Sequence, residues 1–115
     1  MKNSKIVCPV EFSVALMGGK WKLPILYALI KKSPKRFKEL EREIVGITPT
    51  MLTTQLRKLE ADNLVSRKIF ATVPPTVEYR LTNHGKTMKA MIAEIEKWGN
   101  FHMKKMKAIS NSKNE

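Results

Sequence analysis

Apolar residues recur along the chain in short runs of helical period, and the six prolines fall between or at the edges of those runs. Pro9 opens a first helix, in which Val10, Val14, Ala15 and Met17 approximate helical spacing before Gly18-Gly19 stops it. A second helix is predicted over residues 20–32. It buries Trp21, Ile25, Ala28 and Leu29 and ends on two lysines that suit the negative end of the helix dipole. Pro24 fits there only within the first turn, where amides have no helical partner, and that turn is expected to be irregular. Ser33-Pro34 breaks the chain, and Phe37, Leu40 and Ile44 mark one face of a short third helix. After a turn at Val45-Gly46-Ile47, Thr48 supplies a capping hydroxyl and Pro49 the first helical position of a fourth helix, residues 49–62. Asn63 is expected to stop that helix in a left-handed conformation.

The period then changes. Residues 64–71 are rich in β-branched and aromatic side chains, and residues 77–81 alternate Val, Tyr and Leu with Glu78 and Arg80. Thr72-Val73-Pro74-Pro75-Thr76 joins these two strands in an extended tip, giving a hairpin over residues 64–82. Thr82 caps a long last helix, residues 83–107, and the polar tail from residue 110 is expected to fray. The predicted fold is mainly α with a small β-hairpin wing: a winged helix-turn-helix with a C-terminal dimerisation helix, in one domain ordered over about residues 8–107.

Charge narrows the partner. There are 22 Lys and Arg against 10 Asp and Glu, and between Glu11 and Glu39 every charged residue is basic. Such a field attracts polyanions, nucleic acid first and anionic lipid second. No apolar run spans a bilayer and no secretory signal is visible, so a cytoplasmic protein without membrane attachment is expected. The single cysteine, Cys8, excludes an internal disulfide and a Cys-rich zinc site. His84 and His102 have no second ligand at metal spacing, Gly19-Lys20 lacks the rest of a phosphate-binding loop, and no Ser, His and acid set suggests hydrolysis. Neither an enzyme nor a metal or cofactor is expected.

On the fourth helix Leu52, Leu56 and Leu59 share one face while Thr50, Thr53, Thr54 and Arg57 point away from it. Short polar side chains around one long arginine let the helix approach base edges while the guanidinium reaches a guanine or a phosphate. A merely solvated face would usually carry more Glu and Lys. Those four residues are therefore the expected base readers. Lys35, Arg36 and Lys38 at the start of the third helix, Thr48 and Lys58 on the fourth, and Arg67, Lys68 and Thr76 on the wing are the expected DNA-backbone contacts. Met88, Met91, Ile92, Ile95, Trp98, Phe101 and His102 fall close to one stripe of the last helix, more apolar surface than a small subunit covers, and form the expected dimer interface. Two-fold pairing implies a palindromic operator in double-stranded DNA. The alternative is a winged-helix module that binds protein or RNA without sequence-specific DNA readout.

From Cys8-Pro9 to about Trp98 the chain resembles the HxlR-type winged helix-turn-helix transcriptional regulators. The resemblance rests on Cys8-Pro9-Val10-Glu11-Phe12, Gly18-Gly19-Lys20-Trp21-Lys22, Lys35-Arg36-Phe37-Lys38-Glu39-Leu40, Gly46-Ile47-Thr48, Met51-Leu52-Thr53, Leu56-Arg57-Lys58-Leu59-Glu60, Val73-Pro74-Pro75 and Val77-Glu78-Tyr79. It implies a DNA-binding homodimer that represses or activates transcription, some members responding to oxidants or electrophiles. Thr76 stands where such proteins often carry arginine, and Pro24 is unusual for its helix. Cys8 lies at a helix start, where unpaired amides and the dipole favour a thiolate and Lys5 adds positive charge. It is the candidate redox sensor; the other reading is a small packing residue. A small-molecule effector is also compatible with the family.

Overall fold

A computed structural model describes residues 8–113. The chain runs α1 (Pro9–Met17), α2 (Lys22–Lys31), β1 (Lys35–Arg36), α3 (Phe37–Glu43), α4 (Pro49–Ala61), β2 (Val65–Phe70), β3 (Thr76–Leu81), a 3-10 turn (Gly85–Met88) and α5 (Lys89–Lys113). This is a winged helix-turn-helix, with α3 and α4 as the helix pair and β2–β3 as the wing.

Local chemistry accounts for most boundaries. Pro9 occupies the first turn of α1, and Gly18 and then Gly19, at φ +89°, carry the chain away from it. Pro24 is the third residue of α2, so its missing N–H removes no helical bond, and Ile25 N–H already donates to Trp21 C=O at 3.1 Å. The irregular turn expected at Pro24 is absent: the helix runs continuously from Lys22. Thr48 Oγ1 accepts from Met51 N–H at 3.2 Å, and Pro49 follows it at the first helical position of α4. Asn63 takes the left-handed conformation, φ 59°, and releases the chain into β2.

Two departures concern the ends of elements. Residues Lys35 and Arg36 are the strand β1, not the start of a helix; they pair antiparallel with β3, Lys35 opposite Tyr79 and Arg36 opposite Glu78, giving the sheet order β1-β3-β2. Two residues are too few to show an alternating pattern. The last helix reaches Lys113 instead of stopping near residue 107, and its expected frayed tail from residue 110 is helical. Thr82 acts as a cap, its Oγ1 accepting from Gly85 N–H at 2.8 Å, but for the 3-10 turn that leads into α5.

One core is shared by α2, α3, α4, the sheet and the start of α5. Ile25, Leu26, Leu29, Leu40, Leu52, Leu56 and Leu59 are fully buried there. Each such side chain contributes roughly 1.5–3 kcal/mol by leaving water. Met88 and Ile92 also belong to this core. Helix α1 is the exception, because none of its residues is buried and Val10, Phe12 and Val14 are at least half exposed.

Candidate nucleic-acid interface

The buried Leu52, Leu56 and Leu59 fix the roll of α4 and leave its other face to solvent. Thr50, Thr54, Arg57 and Lys58 are exposed on that face, and Thr53 is half-buried at its margin. The cap at Thr48 secures the first turn, the part of such a helix that enters a major groove.

Helix α3 is started by a side chain of its own: Glu39 Oε1 accepts from Arg36 N–H at 2.8 Å. That bond, with nearby Lys32, Lys35 and Arg36, holds the carboxyl of Glu39 below the usual carboxylate range. Arg36 and Lys38 are exposed beside it. Lys35 is not. Its strand position turns it onto the covered face of the sheet, where it is 6% exposed and its Nζ is paired with Glu43 at the end of α3. A buried, paired ammonium does not reach a phosphate, so Lys35 holds α3 against the sheet and leaves the expected backbone set.

Strand geometry also separates two residues adjacent in sequence. Arg67 shares its face with Lys35 and Tyr79, and its Nε lies 3.5 Å from Glu60 Oε1 on α4. Lys68 points to the opposite face, in register with Glu78, with its Nζ 5.0 Å from the centre of the Phe70 ring. At the wing tip, Thr72 Oγ1 donates to Pro74 C=O at 2.7 Å and lies 2.8 Å from Thr76 Oγ1. These bonds tie the two ends of the tip together, with Thr76 as part of the link.

The stripe expected on α5 divides in two. Met88 and Ile92 are 8% and 5% exposed within the subunit's own core, which removes them from the expected dimer interface. Met91, Ile95, Trp98 and Phe101 are exposed, and His102 stacks on Trp98 with ring centres 4.8 Å apart. The exposed apolar surface continues past the expected set through Met103, Met106 and Ile109, and α1 adds Val10, Phe12 and Val14. The apolar period of residues 103–109 shows in the sequence; that α1 buries nothing does not.

Cys8 is exposed at the N-cap of α1. The backbone amides of Glu11 and then Val10 hold its thiol below the ordinary range. Lys5 lies outside the described residues. No described helix is long and apolar enough to cross a membrane.

Comparison with known proteins agrees with this geometry. Residues 16–107 match the family described as HxlR-like helix-turn-helix. The chain is 47% identical over 92 residues to an uncharacterised HTH-type transcriptional regulator, YybR, of Bacillus subtilis, covering 80% of this chain and 73% of that protein. Among solved structures it is similar to the redox regulator HypR in its reduced form, at 42% identity and a TM-score of 0.81 over 88% of this chain and 99% of that one. It is also similar to the reduced form of the transcriptional regulator YodB from B. subtilis, at 33% identity and a TM-score of 0.70 over 83% and 93% of the two chains. The family consists of transcriptional regulators and not enzymes, and this chain, a winged helix with an exposed threonine and arginine face, belongs to the HxlR-like helix-turn-helix family.

Proposed function

We propose that the protein is a cytoplasmic homodimeric regulator that reads a palindromic operator in double-stranded DNA and responds to oxidants or electrophiles through Cys8. The carrying observation is the outer face of α4, where Thr50, Thr54 and Arg57 stand clear of the core, in a subunit that also exposes the cations Arg36 and Lys38. Small hydroxyl side chains permit close approach to bases, and one guanidinium reaches two acceptors of a guanine. Arg36, Lys38, Lys58 and Lys68 supply sequence-independent contacts to phosphate.

Support for the dimer comes from α5. Met91, Ile95, Trp98 and His102 repeat at intervals of four, three and four residues, the seam of a helix that pairs with another helix. These side chains, like Val10, Phe12 and Val14 of α1, are large apolar groups that the isolated subunit leaves in water. Support for sensing comes from the depressed, accessible thiol of Cys8 and from the likeness to a redox regulator. With one cysteine per chain, a disulfide joins two subunits or takes up a small thiol.

Binding titrations on a selected duplex and on random DNA test the DNA reading. Arg57→Ala is expected to lose about 1–3 kcal/mol on the selected duplex and much less on random DNA, whereas Lys38→Ala weakens both about equally. An unchanged ratio of the two affinities in Arg57→Ala contradicts base reading by α4.

A further inference from the structure

A groove of about 390 Å3 lies between α2 and α5. Leu23, Pro24 and Tyr27 line it from α2, and Ile92, Ile95 and Met103 from α5. Its place in the first turn makes Pro24 tolerable to the helix, and lining this groove is what its ring does. Glu96 is the one charged side chain of the lining. Tyr27 Oη donates to Glu96 Oε2, and that bond holds the phenol above its ordinary range, so the hydroxyl stays a donor. The other oxygen of Glu96 takes part in no hydrogen bond or ion pair found among the described residues. Gly99 also lines the groove, in the middle of α5. Glycine is the poorest helix former after proline, and a β-carbon at Gly99 would meet no atom within 4 Å, so nothing inside the subunit calls for it.

We propose that this groove is a binding site for a small apolar molecule that carries a protonated amine, its body against the apolar walls and its ammonium on Glu96. The volume falls within the roughly 300–1,000 Å3 of small-ligand sites, which are mostly apolar with a few placed polar groups. A carboxylate with one oxygen unused and no cation in the lining selects positive charge, and apolar surroundings strengthen that attraction. Gly99 lets the ligand approach the helix backbone closely, and Met103 adapts to its shape. A second copy of the chain fits less well. On a wheel at 100° per residue, Ile92, Gly99 and Met103 lie about 100° round α5 from Met91, Trp98 and His102, so pairing through that seam leaves the groove open. Helix α1 of a second copy would bring Glu11, its one charged residue, to a groove that already holds Glu96. Among the described residues, Tyr27 to Glu96 is the one side-chain hydrogen bond that ties α5 to another element, so an ammonium on Glu96 acts at the joint between α5 and the winged helix.

Calorimetric titration of the full chain without DNA tests this, using phenylbutylamine, phenylbutanol and phenylbutyrate as probes of one shape and different charge. The amine should bind once per subunit, the alcohol roughly tenfold more weakly and the acid not measurably. Glu96→Gln keeps an acceptor for Tyr27 and should weaken the amine roughly tenfold, to the level of the alcohol. Gly99→Leu fills open space with a better helix former and should abolish binding of amine and alcohol alike, in a protein whose helical circular dichroism is unchanged. A wild type that takes up none of the probes at millimolar concentration overturns the inference, and so does amine binding that either variant leaves unchanged. If no probe binds and Gly99→Leu lowers the mass in sedimentation from dimer to monomer, the groove belongs to a second copy and the inference is again overturned. Because no DNA is present, these outcomes are independent of whether α4 reads an operator.

Discussion

A methyl group at Gly85 would lie 2.1 Å from the carbonyl oxygen of Leu64, a backbone atom that cannot step aside without moving the start of β2. Gly85→Ala should therefore destabilise the protein by about 3 kcal/mol, read as a lower midpoint in urea with little change in slope. Nothing in Asn83-His84-Gly85-Lys86 announces that constraint, because the contact joins residues 21 positions apart. Thr48 is the opposite case: its cap was legible from Thr-Pro alone, and Thr48→Ala should cost about 1 kcal/mol in the same measurement. Lys35 and Lys38 look alike in the sequence, and only the pairing of β1 with β3 sends one inward to Glu43 and leaves the other outside. At Cys8 the amides of Glu11 and Val10 lower the thiol's pKa, so at a given pH below that of an ordinary thiol more of it is thiolate. Its alkylation rate should rise with pH to a midpoint below that of an unfolded Cys8 peptide; a midpoint equal to or above the peptide's would remove the electrostatic reason for sensing.

Among the elements, α4 was readable almost to the residue, since a leucine face, a capping threonine and a left-handed asparagine all agree on its limits. The stripe of α5 was readable as apolar but not as divided. A period locates a face and does not say whether the subunit's own core or a second chain covers it. The structure divides it at the point where α5 leaves the core: Met88 and Ile92 are inside, and Ile95, Trp98 and Phe101 lie beyond. Substitutions should follow that division. Ile92→Ala should cost roughly 2–5 kcal/mol of stability by leaving a cavity. Trp98→Ala with Phe101→Ala should leave the folded subunit intact and shift the mass seen by sedimentation at micromolar concentration from dimer to monomer. A monomeric wild type under those conditions would contradict the proposed role of α5.

For the molecule as a whole, extents of 61 × 43 × 24 Å describe a flat winged helix from which the 25-residue α5 projects. The formal charge of +12 biases it toward polyanions but carries no sequence information, which in the proposed reading resides in the outer face of α4 and in the separation of two such faces. In the proposed dimer that separation is set by the pairing of α5, and oxidation at Cys8, the N-cap of the exposed α1, is proposed to alter it. The most direct test is selection of bound duplexes from random DNA, followed by sequencing of the recovered pool. The account predicts one two-fold symmetric motif whose half-sites lie about one helical turn, or a multiple of it, apart. A pool with no shared motif, bound as tightly as unselected DNA, would contradict it.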